Sequence, residues 1–88
     1  MFVFDLNKSR SNERKHGIDF VRVQILWDDP YMIESSARSD DEARRAVTGV
    51  VEGKLWTAIV TKRGGAIRII SVRRARKHET EIYFSGRI

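Results

Sequence analysis

The 88-residue sequence contains no cysteine, no long apolar run and, over much of its C-terminal half, no acidic residue. The absence of cysteine excludes disulfide bonds and cysteine-ligated metal sites, and it fits a reducing cytosol. No apolar run approaches the roughly 20 residues of a membrane-spanning helix. The first residues lack a basic segment followed by an apolar one, so no secretion signal is expected. We therefore expect a cytoplasmic protein with no membrane partner.

The segment between Gly53 and His78 contains no Asp or Glu, although it is rich in cations. It alternates apolar and polar positions as β-strands do, unlike a disordered basic tail. This pattern predicts a folded sheet with a strongly positive surface, which attracts phosphate groups and favours nucleic acid as the partner. The cations are Lys54, Lys62, Arg63, Arg68, Arg73, Arg74, Arg76 and Lys77.

Length and composition predict one small domain over residues 1–88. An apolar content of 41% is enough for a modest hydrophobic core. The net charge is +5, but acidic residues cluster in the middle of the chain. The C-terminal part is therefore more one-sidedly basic than the net charge indicates.

The N-terminal third predicts a short strand followed by two helices. Asp5 can cap the first helix with its carboxylate, and Gly17 can end it in the left-handed conformation. In the second helix, capped by Asp19, apolar residues recur at the spacing of one α-helical face. The predicted elements are a strand at Phe2–Phe4 and helices at Leu6–His16 and 20–27.

The remaining chain predicts antiparallel strands and a final helix. We expect strands at 31–36, 45–51, 55–61 and 66–72, an acidic loop at 38–42, a hairpin turn at 62–65 and a helix at 74–84. The fold class is therefore α+β: an antiparallel sheet of three to four strands, two N-terminal helices and a C-terminal helix. Strict alternation in the last strand predicts Ile67, Ile69, Ser71 and Arg73 on one side, and Arg68, Ile70, Val72 and Arg74 on the other.

Several short motifs, spread along nearly the full length, carry a family resemblance. They include Phe4-Asp5, Lys15-His16-Gly17-Ile18, Asp29, Gly49, Arg63-Gly64, the run IRIISVRRA at 67–75, Glu79 and Tyr83. With this spacing, the chain resembles the BrnT family of toxins from bacterial type II toxin–antitoxin pairs. One position departs from the family pattern, which usually has Glu-Arg in the last helix motif, because Thr80 follows Glu79 here.

The resemblance implies a RelE-like fold and an RNA-cleaving toxin that inhibits translation. It also implies neutralisation by a BrnA-like antitoxin with a ribbon-helix-helix DNA-binding part. Operator DNA would be bound only through the toxin–antitoxin complex. These expectations come from the resemblance and not from composition or spacing.

RNA cleavage without a metal needs a base for the 2′-hydroxyl, a cation for the phosphorus-centred transition state and an acid for the leaving 5′-oxygen. Arginine suits the second task because its guanidinium forks onto two phosphate oxygens and keeps its charge. The candidates are Arg63, Arg68, Arg73 and Arg74. The alternative interpretation is a cross-strand ion pair for Arg68 and solvated surface charge for the others.

His16 and His78 are the only histidines and hence the natural proton carriers near neutral pH. His16 can alternatively satisfy carbonyls at its helix end. Glu79 is either a base or a salt-bridge partner of Arg73 or Arg76. We predict Arg68, Arg73, Arg63, His16 and Glu79 as catalytic, and Lys15, Lys62, Arg74, Lys77 and Tyr83 as substrate-binding.

Two other functions fit the same charge pattern, and no cofactor or metal is expected. A non-catalytic nucleic-acid- or ribosome-binding module would show the same basic sheet. A protein-interaction subunit could use that sheet to dock an acidic antitoxin segment. In a nuclease or a nucleic-acid-binding module, Tyr83 and Trp56 can stack a base, although aromatic residues at such spacing also form cores.

Overall fold

The computed structural model describes residues 1–37 and 43–85, so the acidic loop predicted at 38–42 lies outside the described residues. Within them, five strands form one sheet, accompanied by two α-helices and one 3-10 helix. In chain order the elements are β1 Phe2–Phe4, α1 Leu6–His16, the 3-10 helix Arg22–Asp28, β2 Ile33–Ala37, β3 Arg44–Val51, β4 Lys54–Arg63, β5 Ala66–Arg74 and α2 Lys77–Ser85.

The sheet is mixed, with the strand order β1-β5-β4-β3-β2. The strand β1 runs parallel to β5 at one edge, and the other neighbours are antiparallel. The prediction of three to four antiparallel strands is therefore wrong. A three-residue strand gives no sequence signal for its partner, and β1 pairs with a strand more than 60 positions away, Phe2 opposite Ile67. The RelE-like fold that the resemblance implied is not shown by this topology.

The prediction of a second α-helix at 20–27 is also wrong, because this segment forms a 3-10 helix. Its buried residues, Val23 and Leu26, are spaced by three and continue the spacing of Phe20 just before the helix; each is at most 1% exposed. A 3-10 helix repeats every three residues and aligns these positions, whereas Val21 and Ile25, predicted to widen the apolar stripe, are exposed. The side chain of Asp19 accepts hydrogen bonds from the first backbone N–H groups, those of Val21 and Arg22.

One side of the sheet, here called the core face, packs against α1 and the 3-10 helix. The hydrophobic core consists of Ile18, Phe20, Val23, Leu26, Val47, Val51, Trp56, Ala58, Val60, Ile69 and Val72. Two buried polar side chains fix α1 against this core. Asn12 donates to the Ile18 carbonyl at 2.9 Å and accepts from the Val72 N–H at 3.1 Å, and Ser9 accepts from the Phe20 N–H.

A β-bulge in β5 decides which of its side chains reach the other side of the sheet, here called the cleft face. Ser71 pairs with Ile59 and Ile69 pairs with Val60, so Ile70 is the extra residue. Strict alternation through β5 was therefore a wrong prediction. Ile67 and Ile69 lie on the core face, whereas Ser71 and Arg73 lie on the cleft face with Arg68.

The strand β5 continues to Arg74, so the predicted start of the last helix at residue 74 is also wrong. Arg73 and Arg74 pair with Thr57 and Trp56 of β4, and strand pairing outweighs their helix propensity. The helix α2 begins at Lys77 instead. No helix in the described part of the chain is long and apolar enough to span a membrane.

Substitution of Gly49 tests the packing of the core face, because a Cβ atom there would lie 3.0 Å from Leu26 and 3.3 Å from Asp29. We expect Gly49→Val to lower the free energy of unfolding by about 1–3 kcal/mol through overpacking. Urea titration monitored by tryptophan fluorescence measures this change. Gly65→Ala is the control, since a Cβ there contacts nothing within 4 Å. Equal effects of the two substitutions would contradict the packing.

Candidate functional site

The cleft face carries a cleft of about 470 Å³, lined by β2 to β5 and the start of α2. Its polar side chains are mainly cations and hydroxyls, with one histidine and one carboxylate. The lining residues are Ser35, Ser36, Ala37, Arg44, Ala46, Ile59, Ser71, Arg73, Arg76, His78 and Glu79. The described structure therefore brings three arginines into one cleft together with His78 and Glu79.

The pairing of strands arranges the cleft face in rows. The first row, beneath α2, contains Thr48, Thr57 and Arg73; the middle row contains Ser35, Ala46, Ile59 and Ser71. In the third row, Ala37 pairs with Arg44 and Thr61 pairs with Arg68. The middle row has short or neutral side chains, so it forms the floor of the cleft. Cations stand on both sides of that floor.

Glu79 holds the first row together. Its carboxylate accepts hydrogen bonds from both terminal nitrogens of Arg73, at 2.8 and 2.9 Å, and from the Thr57 hydroxyl at 2.9 Å. It also accepts the backbone N–H of Arg76 at 2.7 Å, which is the N-capping interaction of a Glu in the first helical turn. The Thr57 hydroxyl lies 2.7 Å from that of Thr48. One carboxylate thus fixes β5, β4 and α2 relative to one another.

These contacts strongly stabilise the ionised form of Glu79. Hydrogen bonds from Arg73, and then from the Arg76 N–H and Thr57, outweigh the desolvation of the carboxyl and lower its pKa to about 2. A carboxylate with so low a pKa is a weak base near neutral pH. Of the two interpretations that the sequence left open, the geometry favours the salt-bridge partner. Arg73 is consequently held in one orientation, with its side chain 24% exposed.

The first turn of α2 contributes the rest of this end of the cleft. Arg76 and His78 line it, and both are exposed. The backbone N–H groups of a helix N-terminus favour a bound anion. The Thr80 hydroxyl donates to the Arg76 carbonyl at 3.0 Å, so the residue that departs from the family pattern supports the helix start.

The cleft face holds some of the residues that the sequence predicted for the site. Arg73 and Glu79 are in direct contact, and Arg68 lies on the same face in the third row. Lys77 is exposed as the first residue of α2.

The other predicted site residues lie elsewhere. Lys62 and Arg63 line a separate pocket of about 460 Å³ at the end of β4. Lys15 and His16 end α1 on the opposite side of the sheet, where His16 lines a pocket of about 160 Å³. The Arg74 guanidinium lies 5.4 Å from the centre of the Trp56 ring on the core face. Tyr83 is 4% exposed, and its hydroxyl donates to Asp29.

Arg44 was not predicted from the sequence. Arg76 and His78 were considered there but were not included in the predicted site. The alternation of β3 places Arg44 on the same face as Thr48, but only the tertiary structure shows what that face adjoins. The described residues include no group of three or more His, Cys, Asp or Glu side chains arranged to hold a metal ion.

Comparison with known protein families gives a class of protein that acts on a polyanion, which fits the cations in the cleft. A family model described as "Ribonuclease toxin, BrnT, of type II toxin-antitoxin system" matches residues 4–79. The chain therefore belongs to the BrnT family of ribonuclease toxins. This membership implies RNA as the substrate and an antitoxin as the partner. A search of curated proteins found no match.

The low pKa of Glu79 predicts an acid-sensitive contribution to stability. Because the folded-state pKa is about 2 against an ordinary value of 4.5, the contribution is complete above pH 4.5. It is lost as the pH falls from there through 2, and it amounts to about 3 kcal/mol. We expect Glu79→Gln to reduce the free energy of unfolding at pH 7 and to flatten its dependence on pH between 5 and 2.

Glu81→Gln is the matched control, because Glu81 is exposed on the same helix and its loss removes the same charge. Denaturant titrations at several pH values provide the measurement. If both variants kept the acid slope of the parent protein, the Glu79 network would not be the stabilising element inferred here.

Proposed function

We propose that the cleft is the active site of a metal-independent endoribonuclease and that Arg73 stabilises the charge on the scissile phosphate. The observation that supports this most is the pairing of Arg73 with Glu79 inside a cleft that also contains Arg44, Arg76 and His78. A guanidinium fixed before the substrate arrives loses little conformational freedom on binding, and it needs little reorganisation in the transition state.

In the proposed reaction, the 2′-oxygen of the RNA attacks the adjacent phosphorus and the bond to the 5′-oxygen breaks. The products are a 2′,3′-cyclic phosphate and a free 5′-hydroxyl. Negative charge on the phosphate oxygens increases in the transition state, and guanidinium groups remain protonated to neutralise it. Arg73 contacts this charge directly, with Arg76 beside it, so the chain's own cations supply the electrostatic stabilisation.

We assign proton transfer in this cleft to His78, whose imidazole would take the proton of the 2′-hydroxyl and return a proton to the leaving 5′-oxygen, so that the step balances. His78 lines the same cleft as Arg73, whereas His16 lines a different pocket across the sheet. Glu79 acts as a positioning residue, since its oxygens already accept hydrogen bonds from Arg73, Thr57 and the Arg76 N–H. Lys77 and Arg68 extend the positive charge around the cleft and attract the RNA backbone.

Cleavage of RNA in the presence of a chelator tests the proposal. We expect purified protein to cleave single-stranded RNA with EDTA present, and Arg73→Ala to lower kcat by about 10²–10³-fold, as for other preorganised donors. Arg10→Ala is the control, because Arg10 is exposed on α1, which covers the core face. Its activity should match that of the parent protein.

Other results of this assay would exclude parts of the proposal. Salt-dependent RNA binding without any cleavage would support the non-catalytic nucleic-acid-binding alternative. Cleavage that EDTA abolishes would overturn metal independence. Full activity of Arg73→Ala would remove Arg73 from the mechanism.

We further propose that the antitoxin is BrnA-like, with a ribbon-helix-helix part, and that it neutralises the toxin by covering this cleft. The cations that would hold RNA also suit an acidic protein segment. Free toxin would then cleave RNA and inhibit translation in the cytoplasm. Operator DNA would be bound through the antitoxin part of the complex.

Co-expression with a BrnA-like antitoxin tests this mode of neutralisation. We expect the purified complex to leave RNA intact and to slow hydrogen exchange of the backbone at the start of α2, which lines the cleft. Growth arrest should follow expression of the toxin alone and disappear on co-expression. A complex that retains full cleavage activity would contradict occlusion of the cleft.

A further inference from the structure

We propose that Arg44 forms a second phosphate-binding subsite in the cleft, which holds a neighbouring phosphate of the RNA strand bound at Arg73. The inference rests on the proposed function, since it takes the cleft to be the RNA site. It adds a residue that determines how long a segment of RNA the protein recognises.

The position of Arg44 separates it from the subsite at Arg73. The Arg73 guanidinium is held in the first row by Glu79, next to Thr57. Arg44 lies in the third row, where the Thr61 hydroxyl donates to the carbonyl of the preceding residue, Ala43, at 2.9 Å. Thr57 and Thr61 are four positions apart on β4, which corresponds to roughly 13 Å along the sheet. A strand of RNA lying across the floor of the cleft can therefore contact the two arginines through different phosphates.

Arg44 has a buried hydrogen-bond donor that nothing in the described structure accepts. Its Nε atom is inaccessible to solvent and has no partner among the described residues. Buried polar groups of folded proteins are generally paired, so such a donor indicates a missing acceptor. A phosphate oxygen is a strong acceptor for guanidinium, and a turn of the Arg44 side chain into the cleft would bring this nitrogen within its reach.

The neighbouring residue on the strand shows the contrast. Arg45 lies on the core face, where its guanidinium donates to Glu34 at 3.3 Å and to Ser36 at 3.1 Å. Two consecutive arginines thus have opposite environments, one paired within the protein and one directed to the cleft. Arg45 is therefore the natural control for Arg44.

The floor between the two subsites suits an RNA strand. It consists of Ser35, Ala46, Ile59 and Ser71, with no charged side chain. Serine hydroxyls can donate to sugar or phosphate oxygens, and Ile59 offers apolar surface to the nucleoside between two phosphates. With charge at both ends and a neutral floor between them, the cleft can bind two phosphates of one strand while a nucleoside lies on the floor.

The experiment compares Arg44→Ala with Arg45→Ala on a long and a short probe. A hexanucleotide of 2′-O-methyl RNA, which cannot be cleaved, reports binding, and a cleavable dinucleotide reports the reaction at Arg73 alone. We expect Arg44→Ala to weaken hexanucleotide binding about tenfold at low salt. We also expect it to reduce the slope of log K against log salt by about 0.7, the value for one lost phosphate contact on a single strand.

Cleavage of the dinucleotide should be unchanged in Arg44→Ala, and Arg45→Ala should behave as the parent protein with both probes. Arg44→Lys keeps the positive charge but cannot donate two parallel hydrogen bonds to a phosphate, so it should restore part of the binding. Circular dichroism checks that each variant is folded.

Three outcomes would overturn the subsite. The first is equal hexanucleotide binding by Arg44→Ala and Arg45→Ala. The second is an equal loss of activity on dinucleotide and hexanucleotide RNA, which would make Arg44 part of the reacting site. The third is a weakened antitoxin complex with unchanged RNA binding, which would make this end of the cleft a protein-docking site. Loss of binding in Arg44→Ala, in a protein that cleaves no RNA, would keep the subsite while refuting the proposed enzyme.

Discussion

The ion pair between Glu79 and Arg73 is the interaction on which the site depends. Glu79 is 7% exposed, and its carboxylate accepts hydrogen bonds from a side chain of β5, a side chain of β4 and the backbone at the start of α2. A buried charge is tolerated when it is paired and fully hydrogen-bonded, and removing one partner leaves the other uncompensated. Helix placement, arginine orientation and the shape of the cleft are therefore coupled through one residue.

The bulge at Ile70 is the second constraint, because it selects the face on which the arginine stands. Without the extra residue, Arg73 would share a side with Ile67 and Ile69 and would point towards the core beneath α1. With it, Arg68, Ser71 and Arg73 share the cleft face, and Ile69 and Val72 stay buried. Bulges re-aim side chains in this way next to functional sites. The backbone irregularity and the Glu79 contact together place one guanidinium.

Local signals predicted the elements of this fold better than their arrangement. Asp5 and Gly17 delimit α1 as predicted, because caps act within a few residues of the chain. The 3-10 helix, the bulge and the pairing of β1 with β5 depend on tertiary contacts, which override local periodicity. For the site, the basic segment and the contact of Glu79 with an arginine could be read from composition and proximity. Arg44 could not, because its significance comes from what lies across the sheet.

In the proposed mechanism, capture of RNA and its cleavage depend on different arginines of the cleft. Arg73 is partly compensated by Glu79, so it contributes less to the long-range field than to the fixed local geometry at the reacting phosphate. Arg44 and Arg76 have no carboxylate within ion-pair distance in the described residues, so their charge adds to that of Lys77 and Arg68 in attracting a polyanion. Cations without a carboxylate partner govern encounter and salt dependence, whereas preorganised ones govern the barrier. Because the proposal assigns the two tasks to different arginines, ionic strength should mainly affect KM and leave kcat nearly constant.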